Sequence, residues 1–267
     1  MRYSDTLMKC KVISLQSKPE RRAHITQEFG KQGIDFEFFD AITPDQVTRL
    51  AKQHGLALDG AFLTEGEKAC FMSHVCLWQQ MIDENLSYLA VFEDDVYLGE
   101  NAHLFFGDDG WLKDNDLDFV KTETFLQERK LENDAIILMD NRQAARLKEQ
   151  HLGTAGYIIG LKAATSLIKY AQSLPSQEIS AIDQLMFNHY LDVLDGLPIY
   201  QIYPALCAQE FILFPNQNSM PSSIEIARKQ SKQNKPKRSL SEKIKGELSN
   251  AVRKSFGKFY RIKIDFR

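Results

Sequence analysis

The chain has 267 residues, of which 43% are hydrophobic, so it can bury a full core as one large domain or as one domain with an appendage. It contains no stretch approaching the roughly 18 consecutive apolar residues of a transmembrane helix, and residues 1–11 lack the features of a signal peptide, which predicts a cytoplasmic protein. The net charge of −3 hides an asymmetry, because residues 228–267 hold 14 basic and three acidic side chains while residues 1–227 hold 19 basic and 33 acidic ones. We therefore divide the chain into an acidic body, residues 1–227, and a basic tail, residues 228–267.

The N-terminal part of the body predicts alternating strands and helices. A β-branched strand at Cys10–Leu15 is followed by a helix that begins at Pro19 and continues to about Gly33. Asp35–Phe39 is the next predicted strand. Thr43 and Gln46 form a capping-box pattern that predicts the start of a second helix.

The same pattern at Thr64 and Glu67 predicts a third helix, which carries an apolar stripe on one face. Cys70 and Cys76 fall on this helix, six residues apart and on different faces. With only four scattered cysteines, the sequence predicts neither a zinc site nor a disulfide framework, but small buried thiols in a reducing compartment.

The most informative stretch follows as Leu89–Val96, in which four apolar residues run into the three acids Glu93, Asp94 and Asp95. The apolar run predicts a buried strand. In an extended chain, Glu93 and Asp95 face one side and Asp94 the other, so two carboxylates can bind one hard divalent cation. Acids in a row are more often a solvated turn or a helix cap, but open α/β sheets bind their ligands at the carboxyl ends of strands.

Later segments continue the alternation of helices and strands. The predicted elements are a helical stretch at Asn101–Lys113, strands at Phe119–Phe125 and Ala135–Met139, a loop entering a strand at Gly153–Gly160, helices at Lys162–Ser173 and Ile179–Leu191, and a strand at Ile199–Tyr203. This order predicts an α/β fold with a mostly parallel sheet flanked by helices.

The turn after the first strand has neither a G-x-G-x-x-G nor a GK[ST] phosphate loop. A diphosphate bound at this turn would need its charge neutralised in another way. A metal ion on the strand-end acids would do so, with Arg21 and Arg22 as helpers; the alternative for both arginines is a solvated helix face.

Several blocks, in a fixed order over residues 12 to about 225, resemble glycosyltransferase family 25 and within it the bacterial lipooligosaccharide β-1,4-galactosyltransferases. The blocks are Val12–Leu15 with Glu20–Arg22, Phe38–Ala41, Glu67–His74 with Trp78, Val91–Val96, Gly153–Ile159, Ile182–Asp183, Pro204–Glu210 and Gln217–Ser219. The chain departs from the family pattern at Leu152 and over Phe119–Ala144, apart from Glu123.

The resemblance implies a GT-A-like (Rossmann-like) catalytic domain over residues 1–227, a UDP-sugar donor, Mn²⁺ or Mg²⁺ as cofactor, and inversion at the anomeric carbon. Glu93 and Asp95 then stand at the DxD-like metal position, with Glu93 also able to contact the ribose. The other residues expected to contact the nucleotide sugar are Ser14, Leu15, Arg22, Asp40, Ser73, His74, Asp94, Gln209 and Asn218.

Inverting transfer needs one base to deprotonate the acceptor hydroxyl. Asp183 is the first candidate and Glu123 the second, while the alternative for Asp183 is a plain helix N-cap. His74 has a helix-packing role as its alternative. His151 precedes the Gly153 loop and either approaches the metal and sugar or is an exposed loop residue.

The tail contains a polar, lysine-rich linker and then a helical apolar stripe flanked by basic residues. This pattern favours peripheral binding to the anionic cytoplasmic face of the inner membrane, where a glycolipid acceptor would lie. Binding to nucleic acid is disfavoured because the body is acidic, and a disordered solubilising tail is the other alternative.

The predicted function is metal-dependent transfer of galactose from UDP-galactose to a terminal sugar of lipooligosaccharide, with a β-1,4 linkage to N-acetylglucosamine or glucose. The alternatives are UDP-glucose or another acceptor on the same scaffold, a phosphohydrolase, and a non-catalytic nucleotide-sugar-binding protein. A phosphohydrolase of the aspartyl-phosphate type needs D-x-D after the first strand, where this chain has Ser14, Leu15 and Gln16.

Overall fold

The computed structural model describes residues 8–216 and 260–267. The helices are α1 (Pro19–Gly30), α2 (Pro44–Gln53), α3 (Glu65–Asp83), α4 (Gly110–Asp114), α5 (Leu161–Ser173), α6 (Ile182–Gln184) and α7 (Glu210–Leu213). The strands are β1 (Lys9–Ser14), β2 (Glu37–Asp40), β3 (Tyr88–Glu93), β4 (Val96–Leu98), β5 (Phe119–Lys121), β6 (Glu128–Leu131), β7 (Ile136–Ile137), β8 (Gln143–Arg146), β9 (Gly156–Gly160), β10 (Tyr200–Tyr203), β11 (Cys207–Gln209) and β12 (Tyr260–Lys263). Over the described ranges, no helix combines the length and hydropathy needed to cross a bilayer.

A mixed sheet of eight strands forms the centre of the molecule, in the order β2-β1-β3-β9-β5-β10-β8-β7. The pairs β1–β2, β1–β3 and β5–β10 are parallel, and β8 and β9 run against the other strands. The predicted mostly parallel sheet with flanking helices is therefore confirmed. Ser14 pairs with Asp40 and Ile13 with Glu93, so β1, β2 and β3 end together at one edge.

Alternate residues of the central strands pack on opposite faces of the sheet. On β3, Val91 belongs to a core with Trp78 of α3, whereas Phe92 belongs to a second core with Phe29 of α1. Because both faces are covered by helices, the central strands are buried on both sides, as a continuous apolar run predicts. The molecule has three layers, with the sheet in the middle.

Local capping signals correctly located two of the helices. Thr43 and Gln46 form the predicted capping box of α2, and Thr64 and Glu67 form that of α3. The α3 cap fixes where the helix begins, and through the helical repeat it fixes which face of α3 lies on the sheet.

Two predicted helices are shorter and more irregular than expected. The stretch Asn101–Lys113 contains only a 3₁₀ turn and α4, because the Asp108 side chain accepts a hydrogen bond from the Gly110 amide and holds a turn there. Helix Ile179–Leu191 reduces to α6, a π-helical stretch with a kink at Phe187, and a 3₁₀ turn.

The last eight residues pack on the body, although they fall within the segment assigned to the basic tail. Strand β12 pairs antiparallel with β6, Ile264 is buried, and Thr124 donates a hydrogen bond to the Ile264 carbonyl. Residues 228–259, which carry the predicted linker and apolar stripe, lie outside the described residues.

Candidate active site

The acidic run is a turn at the carboxyl end of β3. Strand β3 ends at Glu93, and Asp94 and Asp95 lie in the turn to β4, so the alternation of an extended chain does not set their orientation. The parallel register places this turn beside Ser14 of β1 and near Asp40 of β2. The acids therefore lie at the carboxyl ends of the strands, as predicted, but Asp94 and Asp95 are in a turn and not in an extended strand.

Asp94 is neutralised by its neighbours. Its carboxylate accepts a 2.7 Å hydrogen bond from the Ser14 hydroxyl and forms an ion pair with Arg21 of α1. The Arg21 guanidinium also lies 3.9 Å from Asp95 Oδ2. These contacts tie the acidic turn to the first strand and helix, and they occupy both oxygens of Asp94.

Asp95 is buried, and it accepts hydrogen bonds from residues at the end of β11, which pairs antiparallel with β4. The Gln209 side-chain amide donates to Asp95 Oδ1 over 3.1 Å, and the Glu210 backbone N–H donates to the Asp95 carbonyl over 2.9 Å. Burial raises the pKa of Asp95, and the nearby Arg21 charge opposes that rise. Gln209, predicted to contact the sugar, thus also bonds a predicted metal ligand.

Glu93 is the most perturbed acid of the site. Burial, followed by repulsion from Asp95, raises the pKa of Glu93 to about 8, although Thr154 donates a 2.6 Å hydrogen bond to its carboxylate. Further repulsion comes from Glu123. The nearby Arg21 charge does not offset this repulsion, and the oxygen donor set is the kind that Mn²⁺ and Mg²⁺ prefer, so the residues fit a hard divalent cation.

Glu123 and Lys121 form a fully buried ion pair next to the cluster. Lys121 Nζ lies 2.6 Å from Glu123 Oε1 and donates to the Gly153 carbonyl, and the Ala155 N–H donates to the same Glu123 oxygen over 3.1 Å. Glu123 Oε2 has no hydrogen-bond partner among the described residues. Burial raises the pKa of Glu123, and the Lys121 charge lowers it.

A glycine loop closes over Glu123. A Cβ added at Gly153 would lie 2.7 Å from Glu123 Oε1 and 2.6 Å from Phe125 Cε2, and the φ of Gly153 is +91°. Only glycine fits such a close approach at this backbone conformation. The loop therefore covers the Glu123 carboxylate.

Asp183 lies close enough to Lys121 for its charge to act on that ammonium. It is half-buried in α6, and its Oδ1 accepts a 2.9 Å hydrogen bond from the next residue's N–H, Gln184. Its charge acts on Lys121, which places the two predicted bases, Asp183 and Glu123, around one buried ammonium. Of the two, Asp183 is the more accessible.

Ser14, Arg22 and Asp40 line the rim at the ends of β1 and β2. Arg22 donates to the Ser14 carbonyl over 3.0 Å, pairs with Asp40 and stacks over Phe38, 4.7 Å from the ring centroid. The Arg22 hydrogen bond holds the pKa of Asp40 below its ordinary value. Leu15 is half-buried in the turn that follows.

Ser73 and His74 are buried in α3. The Ser73 hydroxyl accepts from the Ile42 N–H and donates to the Ala69 carbonyl, each over 2.9 Å, so it joins α3 to the segment after β2. His74 Nδ1 shares a 2.8 Å hydrogen bond with the Tyr157 hydroxyl, and burial lowers the pKa of His74 to about 3. Asn218, another predicted contact, lies outside the described residues.

The structure settles the exposure of His151 and shows two contacts of the acids that the sequence did not predict. His151 is buried rather than exposed, and its Nδ1 shares a 2.7 Å hydrogen bond with Gln201. Lys121 and Thr154, which contact Glu123 and Glu93, were not predicted; the only available signal was a lysine directly after two apolar residues of a predicted strand.

Together, the fold and these side chains define a class: α/β proteins with a cluster of carboxylates at the carboxyl ends of parallel strands, the edge at which open α/β sheets bind ligands. Sequence comparison then gives the family. Residues 8–186 match the model of glycosyltransferase family 25 (LPS biosynthesis protein), and the chain belongs to this family.

Similar proteins have roles in lipooligosaccharide synthesis. The chain is 42% identical to the lacto-N-neotetraose biosynthesis glycosyltransferase LgtE of Neisseria meningitidis serogroup B, with 94% of this chain and 90% of the relative covered. It is 40% identical to the lipooligosaccharide biosynthesis protein lic2B of Haemophilus influenzae, with 94% of each covered. A crystal structure of a glycosyltransferase involved in glycosylation of the major capsid of PBCV-1 aligns with a TM-score of 0.41 and 9% identity, over 84% of this chain and 99% of that chain.

Proposed function

We propose that this protein transfers galactose from UDP-galactose to a terminal sugar of lipooligosaccharide, forming a β-1,4 linkage with inversion and depending on Mn²⁺ or Mg²⁺. The observation that carries the proposal is the convergence of Glu93, Asp95 and Glu123 at the strand ends, where burial and then repulsion from Asp95 raise the pKa of Glu93. The names of the similar proteins support the acceptor class. A GT-A-like arrangement of the sheet is part of the same proposal.

The donor would lie along the edge formed by β1, β2 and β3. Glu93 and Asp95 would hold the cation, which when bound stabilises the negative charge that develops on the departing UDP. Arg22, fixed against Ser14 and Asp40, borders the place where a nucleotide would meet the end of β1. Arg21 keeps Asp94 and the acidic turn in place.

Asp183 is the proposed base that takes the proton from the acceptor hydroxyl. It is half-buried, whereas Glu123 is fully buried, shielded by the Gly153 loop and paired with Lys121. Glu123 therefore acts as a positioning residue that holds Lys121 and the amide of Ala155.

A donor panel tests the proposal by measuring UDP release from UDP-galactose and UDP-glucose with lactose, N-acetylglucosamine and glucose as acceptors. We expect release from UDP-galactose with N-acetylglucosamine or glucose, its loss in EDTA and its recovery on adding Mn²⁺. Preference for UDP-glucose would overturn the donor assignment. UDP binding without any release would identify a non-catalytic binding protein, and full activity in EDTA would exclude the metal.

A further inference from the structure

A second group of ligand-type side chains lies behind the acidic turn, on the α3 side of the sheet. Cys70 and His74 are four residues apart on α3, so they share one face of that helix, and Glu93 ends the neighbouring strand β3. The Cys70 Sγ, one ring nitrogen of His74 and one carboxylate oxygen of Glu93 all lie within 4.8 Å of one another.

The histidine of this group is fixed and incompletely bonded. Trp78 Nε1 donates to the Tyr157 hydroxyl oxygen over 3.0 Å, and that oxygen lies 2.8 Å from His74 Nδ1. His74 is fully buried, and its Nε2 has no hydrogen-bond partner in the described part of the chain. An unpaired buried ring nitrogen is unfavourable, and a histidine whose other nitrogen is held by a hydrogen bond is the usual arrangement of a metal ligand.

The donor set is soft compared with that of Glu93 and Asp95. Thiolate, imidazole and carboxylate together suit Zn²⁺, with bond lengths of about 2.0–2.3 Å that place tetrahedral ligand atoms about 3.3–3.8 Å apart. Small side-chain movements bring atoms within 4.8 Å to that spacing. Cys70 and Glu93 are only half-buried, so the group is open on one side and leaves a coordination position for solvent.

We propose that Cys70, His74 and Glu93 form a binding site for Zn²⁺ or a similar borderline transition-metal ion. Because Glu93 also belongs to the proposed Mn²⁺ or Mg²⁺ site, occupancy of the thiol site withdraws one ligand from the activating cation. Zinc then inhibits the transferase; this inhibitory consequence rests on the proposed function, whereas zinc binding itself does not.

Zinc binding is measured first, by titrating the full-length, metal-free protein with Zn²⁺ against a chromophoric chelator, and by recording the thiolate charge-transfer absorption of bound Co²⁺. Cys70→Ser is expected to weaken Zn²⁺ binding at least 10-fold and to remove the charge-transfer band. Cys76→Ser is the matched control, because Cys76 is also half-buried on α3 and its Sγ lies 3.8 Å from His54 Nε2. This control should change neither the Zn²⁺ affinity nor the charge-transfer band. Equal effects of the two substitutions, or no Zn²⁺ binding by the wild type, would overturn the site; thermal melts of both variants establish that they are folded.

The inhibitory role is measured separately, as UDP release at a fixed Mn²⁺ concentration with increasing Zn²⁺. The wild type should lose activity and regain it with excess Mn²⁺, and Cys70→Ser should keep its activity at Zn²⁺ concentrations that inhibit the wild type. Zn²⁺ binding that leaves turnover unchanged would overturn the competition with the activating cation while the site stands. A protein with no transferase activity at all would contradict the proposed function and leave the binding result intact.

Discussion

At the scale of single residues, three adjacent acids at the end of β3 have three different environments. Asp94 is neutralised by Arg21 and Ser14, and Asp95 accepts a hydrogen bond from the Gln209 amide. Glu93 accepts a hydrogen bond from the Thr154 hydroxyl and forms no salt bridge within the described ranges, and its pKa is raised to about 8. From these different partners we infer a structural role for Asp94, and the proposed cation ligands are Glu93 and Asp95.

Replacing Asp95 with asparagine should abolish transfer without unfolding the protein. The amide is isosteric and retains a hydrogen-bonding partner for Gln209, but it removes the charge that would bind the cation, so we expect kcat to fall by about 100-fold or more. Steady-state UDP release and a thermal melt measure the two effects. Glu37→Gln, on the same sheet and paired with Lys11, is the control and should leave the rate unchanged; an active, folded Asp95→Asn enzyme would refute the metal assignment.

Glu93 should make the stability of the metal-free protein depend on pH. Its folded pKa of about 8 lies above the ordinary value of 4.5, so the folded state binds more protons between these values and the free energy of unfolding falls as pH rises through them. Glu93→Gln should remove this loss, so that in EDTA the variant melts a few degrees above the wild type at pH 8.5 but not at pH 5. Melts across this range measure the difference, and equal pH dependence in both proteins would show that Glu93 is not perturbed.

At the scale of elements, α6 and the strand β5 bring the two candidate bases to one lysine. Asp183→Asn should lower kcat by about 100- to 10,000-fold with little change in UDP affinity, because it removes the base and not a donor contact.

Glu123→Gln should instead lower the melting temperature, because it leaves the buried Lys121 charge uncompensated, at a cost of about 3–5 kcal/mol. Rates, UDP binding and melts of both variants separate these roles, and a near-normal rate in Asp183→Asn would assign it to helix capping.

The elements predicted from the sequence are those whose causes are local. Thr43 and Thr64 cap helices through residues three positions away. The residues before Glu93 are all apolar, and this composition is enough to predict a strand that is covered on both faces. The burial of Lys121 and His151 depends instead on partners elsewhere in the fold. His151 meets Gln201, 50 residues away, and Lys121 meets the Gly153 carbonyl, 32 residues away, contacts that no local pattern encodes.

At the scale of the whole molecule, the charge asymmetry predicts peripheral binding to an anionic membrane. Residues 228–259 hold 11 of the tail's basic side chains, and each can contribute about 1 kcal/mol at an anionic surface. Replacing these 11 with glutamine, while keeping residues 260–267, should abolish flotation with anionic liposomes and leave turnover of a soluble acceptor unchanged. Removing everything after residue 227 is the poorer test, because it also removes β12; equal flotation of the variant and the wild type would reject the anchor.

The pairing of β12 with β6 has a consequence for a protein that has been cut. If an engineered protease site between residues 217 and 259 is cleaved, the C-terminal fragment still contributes a strand and the buried Ile264 to the larger one. The two pieces should co-migrate in gel filtration and separate only in denaturant, and adding the short fragment in excess should rescue a nicked sample that has lost it. The cleaved protein would then behave as a split protein, in which a peptide supplied in trans restores the strand that pairs with β6.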